Sequence, residues 1–224
     1  MGEVIGDLLP LALGVAISPI PIIAVILMLL APRAAGASAG FLVGWLAGIV
    51  VTIVVFVLVA GFAGDDTDDG PSVVASWIKV ALGVLFILLA IGQWRRRPEP
   101  GVPAELPGWM KAVDTFTPGK AAGLGFVLSA VNPKNLAMAV TAGVVIGTAG
   151  LSGGQEVVAV IVYVVIAAST VAVPVIAYAV AADHMRGPLD GLKSWLVVNN
   201  ATVMAVLLVV IGFVVVGKGV GGLF

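Results

Sequence analysis

The sequence predicts an all-α integral membrane protein with six transmembrane helices. They form two inverted-topology repeats of three, and helices 1 and 4 are broken at prolines. Three observations predict this. Of 224 residues, 61% are hydrophobic and only 10% charged, against about 25% charged in ordinary soluble domains. Six apolar runs reach the roughly 20 residues that a spanning helix needs. In the first and fourth runs a helix-capping residue is followed directly by proline, as Ser18-Pro19 and Asn132-Pro133.

The runs follow in order. The first covers about 8–30 and holds Pro19-Ile20-Pro21. The second, 40–63, carries no charge and repeats Gly40, Gly44 and Gly48 at a spacing that lets helices approach closely; these glycines read as packing or a dimer face. The third, 72–94, contains Lys79, one or two turns inside its outer end. The fourth, 121–148, holds Asn132-Pro133-Lys134-Asn135. The fifth, 157–182, holds Ser169, Thr170 and Pro174, and the sixth, 195–216, has Asn199 and Asn200 near its start. The chain is a single transmembrane domain over 1–224, with repeat one at 8–94, a loop at 95–120 and repeat two at 121–216.

Loop charge sets the orientation. Arg33, Arg95, Arg96, Arg97, Lys111, Lys120, Arg186 and Lys193 fall after runs one, three and five, which is eight of the eleven basic residues. Only Lys218 falls on the opposite side, together with the acidic stretch Asp65-Asp66-Thr67-Asp68-Asp69. Cytoplasmic loops collect Lys and Arg, so both termini are expected outside the cytoplasmic (inner) membrane. Glu3 and Asp7 precede the first run without any basic residue. This is unlike a signal peptide, so the first helix is expected to remain. The loop at 95–120 holds Pro98, Pro100, Pro103, Pro107 and Pro118. It reads as an extended linker, with Trp109-Met110-Lys111 as a short interfacial anchor.

With both ends outside, the first run enters from outside and the fourth from inside. Matching signals support the inverted repeat. Ser76-Trp77 opens the third run and Ser194-Trp195 the sixth, and both runs continue to Ile-Gly, at Ile91-Gly92 and Ile211-Gly212. Paired interrupted spans in two halves point to a transporter binding site. The plain alternative is that both prolines only kink their helices for packing.

The chemistry expected at the breaks is cationic. Ser18 and Asn132 suit the N-cap, and Pro19 and Pro133 suit the first helical position. The helix N-termini beyond them present unpaired N–H groups and a positive dipole end to the midplane, which attract anions. Lys134 adds a full charge, about 20 Å along a helix from Lys120. An ionisable group so deep marks a functional site, unless it pairs with carbonyls that Pro133 frees. The candidate substrate-binding residues are Ser18, Pro19, Pro21, Asn132, Pro133, Lys134 and Asn135, with Lys79 and Asn199 as further members. Lys79 beside Trp77 also fits an interfacial anchor, and Asn199 and Asn200 also fit helix–helix hydrogen bonding.

Several function classes are disfavoured. The chain has no cysteine, which rules out disulfides, thiolate metal sites and thiol relays. No Asp or Glu lies deep in a run, as a cation exporter or proton relay would need. His184, the lone histidine, falls in the loop after run five. The Asp65–Asp69 cluster lacks the spacing of a calcium loop, and no Gly-Lys-Ser/Thr phosphate loop occurs. No Ser-His-Asp set is arranged for catalysis. The reading is therefore not an enzyme, with no metal, cofactor or nucleic-acid partner.

Six spans, Pro19-Ile20-Pro21 in the first and Asn132-Pro133-Lys134 in the fourth resemble the lysine-exporter (LysE) superfamily. Within it the chain is similar to the glycopeptidolipid- or sulfolipid-addressing proteins, the GAP or Sap family. The resemblance covers essentially the whole chain and implies an inverted-repeat transporter that moves cell-envelope glycolipids across the inner membrane. The chain departs from relatives that use intramembrane carboxylates or cysteines.

The function expected is a transporter or flippase that exports an anionic lipid-linked or glycolipid substrate by alternating access. One alternative is an exporter of a small soluble molecule such as an amino acid. Another is a non-transporting scaffold of an envelope-lipid export machinery, docking through Arg95–Lys120. Beyond the bilayer and the substrate, a homodimer is a further possible partner.

Overall fold

The computed structural model describes residues 1–64, 73–97 and 108–223, and every regular element among them is helical. The Asp65–Asp69 cluster and residues 98–107 of the proline-rich loop lie outside the described residues.

Helix α1 (Gly2–Ala16) ends where the hydrogen-bond ladder loses its donors. Pro19 has no N–H for Val15 and Pro21 has none for Ile17. The chain turns by 51° and resumes as α2 (Pro19–Leu30), with Ser18 extended at the N-cap position. Almost all of α2 is buried, because its sequence is apolar on every side. Helix α3 (Ala34–Gly64) and helix α4 (Val73–Arg95) have no internal proline and run unbroken.

After a short 3-10 helix (Gly108–Thr115) come α5 (Pro118–Ala130) and α6 (Pro133–Gly147). The 3-10 helix covers the expected anchor at Trp109-Met110-Lys111 and is pinned by buried Met110 and Val113, packing against α2. Between α5 and α6 the Asn132 side chain accepts from the Lys134 backbone N–H at 3.0 Å, and Pro133 takes the first helical position.

Residues Gly153–Gly221 stay helical for 69 residues. Straight, that would be about 100 Å, several times the roughly 30 Å of a bilayer core. The backbone leaves helical geometry at Ala181 (φ −142°, ψ 48°) and divides the stretch into α7 (Gly153–Ala182) and α8 (His184–Gly221). The expected loop around His184, Arg186 and Lys193 is thus helical, and its turn is one distorted residue. Pro188 is the fifth residue of α8; it removes the N–H that the His184 carbonyl would have met, and the helix continues past it.

Four helical segments are long and apolar enough to cross a membrane: Ala34–Gly61, Val73–Arg95, Gly153–Ala182 and His184–Gly221. The bent pair α1–α2 makes a fifth. This is a multi-pass architecture with four or five candidate spans where the sequence predicted six. The difference lies at 121–148, where the break leaves α5 with 13 residues and α6 with 15, each too short to cross alone.

Small residues set the packing. A Cβ on Gly40 would stand 2.2 Å from the Pro118 carbonyl oxygen, one on Gly44 1.9 Å from that of Ala122, and one on Gly48 1.9 Å from Ser129 Oγ. These three glycines seat α5 against α3 within the chain, so the face considered for a dimer is occupied. Farther along, Gly143 meets Phe56 and Gly147 meets Val57. Contacts advance together along both sequences, so α3 runs parallel to α5 and α6. Gly83 meets Gly212 and Val216, while Ser76 meets Gly219 and Gly222, so α4 and α8 run antiparallel.

Candidate functional site

The two helix breaks meet in space. The cause is a set of carbonyls left over at the end of α1. In an unbroken helix the Gly14 carbonyl would accept from the Ser18 N–H. Here the Ser18 N–H turns to Val15, whose usual donor would be Pro19. Gly14 is left without its helical donor, and the Lys134 ammonium fills the place at 2.6 Å. The Ala16 carbonyl takes a hydrogen bond from Thr170 Oγ1 on α7 at 2.5 Å. A lysine in the first turn of a helix opposes the helix dipole. Lys134 escapes that penalty by reaching across to the negative, carbonyl end of α1.

The network continues from the same ammonium. Lys134 Nζ also donates to Ser18 Oγ. Ser18 in turn donates to Asn135 Oδ1 at 3.4 Å, and Asn135 Nδ2 donates to the Leu128 carbonyl, exposed by the end of α5, at 3.0 Å. Ser18, Lys134 and Asn135 are 3%, 5% and 2% exposed, so this network is buried. The Ser18 hydroxyl makes no cap hydrogen bond to its own helix. Ser18 occupies the N-cap position by backbone alone, and its side chain ties the two breaks together. The carbonyl that Lys134 meets is therefore not one that Pro133 frees, as the alternative had it, but Gly14 of the other break. The ammonium has three donors, so a third remains.

A cavity of about 490 Å³ opens beside this network. At one end it is walled by Ser18, Pro19, Pro21, Asn132, Pro133 and Lys134. Leu89, Gln93 and Arg96 of α4, Asn200, Ala201, Met204 and Leu208 of α8 and Ile20 of α2 complete the lining. The cavity follows α4 and α8 for about 10–12 Å, toward the end of α4 that carries Arg95, Arg96 and Arg97. Its lining holds two cations, Lys134 and Arg96, and no carboxylate. The ion pairs among the described residues lie elsewhere, Lys193 with Asp190 and Lys218 with Asp7.

The site thus gathers six of the nine candidates on one wall. Asn135 stands behind that wall, holding Ser18 and Leu128. Lys79 and Asn199 are not brought to it. Lys79 is half-buried ten residues before Leu89, about 15 Å farther along α4, beside exposed Trp77. The Asn199 amide donates to the Trp195 carbonyl of its own helix at 2.9 Å. Its neighbour Asn200 is the one that faces the cavity. Among the polar lining residues, Gln93 and Arg96 were not singled out by sequence reasoning, and Asn200, weighed beside Asn199, was not among the nine candidates. Helical phase held the signal: 89, 93 and 96 share one face of α4, and 200, 204 and 208 one face of α8.

The positive helix ends are also thinner than expected. Pro19, Pro21 and Pro133 have no N–H, the Lys134 N–H is taken by Asn132, and the Ile22 and Leu136 N–H groups bond the Ser18 and Asn132 carbonyls. Side-chain cations therefore carry most of the positive potential.

A family model described as Sap, sulfolipid-1-addressing protein, matches residues 8–221. The chain belongs to the Sap family. That match takes in both breaks and every cavity residue named above, so the site is built wholly from the part of the chain that makes it a Sap protein. No curated protein and no solved structure matches it.

Proposed function

We propose that this Sap-family protein is an inner-membrane transporter or flippase that exports an anionic, lipid-linked envelope substrate. The observation that carries the reading is a buried lysine with no acidic partner among the described residues, lining a cavity with a second cation and several apolar side chains. Lys134 and Arg96 attract an anionic headgroup. Ile20, Leu89, Met204 and Leu208 suit the neighbouring hydrocarbon. A cation-export site would instead need carboxylates in this lining. The description of the family, a sulfolipid-addressing protein, agrees with an anionic lipid.

The same reading takes the chain as six crossings in two inverted halves, with α1–α2 and α5–α6 as the broken spans. Support comes from the Asp7–Lys218 ion pair, which brings the start of α1 to the end of α8 and so requires an even number of crossings. The antiparallel α4 and α8 run as the third helices of inverted halves must. The cavity reaches toward the basic end and so faces the cytoplasm, with both termini outside. Alternating access then consists of the halves rocking about the joined breaks.

The test substitutes Lys134 by Ala and by Glu and measures anionic glycolipid at the cell surface. Loss of a charge-assisted contact worth about 1.5–3 kcal/mol lowers export by roughly tenfold or more in Lys134→Ala, and Lys134→Glu abolishes it. Normal display by variants present at the wild-type level in the membrane refutes the role given to Lys134. Purified protein in liposomes separates transport from scaffolding, since a scaffold moves no lipid.

A further inference from the structure

One polar group of the cavity is left over once the anion is accounted for. Asn200 lines the cavity from α8, and its carboxamide oxygen is buried without a hydrogen-bond partner among the described residues. Its neighbour Asn199 is satisfied by its own helix, so an asparagine at this point of α8 does not have to be left open. A buried acceptor without a donor is costly, and in an apolar membrane helix a leucine or valine would avoid the cost. Lys134 and Arg96 are donors only and cover the anionic part of an occupant. An amide oxygen does the reverse: it takes a hydrogen bond from an O–H or N–H group. Gln93 of α4 adds a second amide to the lining.

We infer that Asn200 is the residue by which the cavity selects its occupant, accepting a hydrogen bond from a hydroxyl that the headgroup carries beside its anionic oxygens. A headgroup of equal charge that lacks such a hydroxyl is then the poorer ligand. This rests on the anionic-lipid reading above and adds to it the group that discriminates among anionic lipids. A site built to hydrogen-bond a hydroxyl rejects the analogue that lacks it, because the buried acceptor is then stranded.

The test uses the purified full chain and two probes of equal charge. Phosphatidylinositol carries a polyol on its phosphodiester, and phosphatidylmethanol carries none. Affinities are read by titration in detergent for wild type, Asn200→Leu, Asn200→Ser and Lys134→Met, each shown to elute as one species. Wild type is expected to favour phosphatidylinositol by roughly fivefold or more. Asn200→Leu brings the two affinities together, and Asn200→Ser, which keeps an acceptor oxygen, retains part of the preference. Lys134→Met weakens both probes alike and leaves the ratio in place. A wild type without preference, or an Asn200→Leu variant that keeps it, overturns the assignment. If Lys134→Met leaves both affinities unchanged while Asn200→Leu erases the ratio, the anion site fails and the selector role stands.

Discussion

Lys134→Met isolates the balance between burying a charge and satisfying the groups around it. Lys134 brings a full charge to the joined breaks, held by the Gly14 carbonyl at 2.6 Å and by Ser18 Oγ. Removing the ammonium strands the Gly14 carbonyl, at a cost of about 1–3 kcal/mol. Ser18 keeps Asn135 as a partner. Against that stands the desolvation of a buried ion, several kcal/mol that methionine does not incur. The expected result is a Lys134→Met variant at least as stable as wild type and inactive. Ser18→Ala does the opposite: it leaves the ion in place with one partner fewer, and it destabilises by about 1.5–3 kcal/mol. In the Lys134→Met background Ser18→Ala costs much less, so the double-mutant cycle shows coupling of about 1–2 kcal/mol. Reversible unfolding in mixed micelles measures all four proteins. Additive effects, or a Lys134→Met variant several kcal/mol less stable than wild type, refute the account of the network.

Further outcomes follow from other contacts. Gly44→Ala places a Cβ 1.9 Å from the Ala122 carbonyl oxygen; forcing α3 from α5 costs about 1–3 kcal/mol, whereas Gly123→Ala, with nothing within 4 Å, is neutral or slightly stabilising in the same unfolding assay. Thr170→Val strands the Ala16 carbonyl and lowers stability by about 1 kcal/mol, while wild-type stability in this variant would show that the α1–α7 contact is dispensable. Asp7→Asn breaks the pair with Lys218, whose side chains are 16% and 40% exposed, so it costs under about 1 kcal/mol and less at high salt. Because the chain has no cysteine, single Cys variants report topology: Arg33→Cys and Arg186→Cys react with an impermeant maleimide only from the cytoplasmic side, and Gly2→Cys and Gly217→Cys only from outside. The reverse pattern overturns the orientation.

Much of the site was legible because proline chemistry is local. A proline removes a donor wherever it falls, so the ends of α1 and α5 could be placed to within a residue or two. A lysine far from any basic loop also stands out by composition alone. What local signals could not supply was the partner of each group. Ser18 was read as a cap for its own helix, but a hydroxyl beside a buried ammonium is worth more to the ammonium. Asn199 and Asn200 are chemically identical and differ by about 100° of helical phase. Only the neighbours of α8 decide which amide meets its own backbone and which the cavity. The 69-residue helical stretch was illegible for a related reason: its turn is a single residue, Ala181, and alanine gives no breaker signal.

The sequence by itself determined that this is a helical membrane protein, that two helices break near Ser18 and Asn132, and that the centre carries positive and no negative charge. These follow from counts and from the covalent fact that proline has no N–H. Only the tertiary structure decided that the breaks join each other. The carbonyls freed at the end of α1 need donors, and the nearest strong one is carried by α6. The same meeting gives Lys134 a reason to sit at a helix N-terminus, spends two of its three donors on the fold and leaves the third for the cavity.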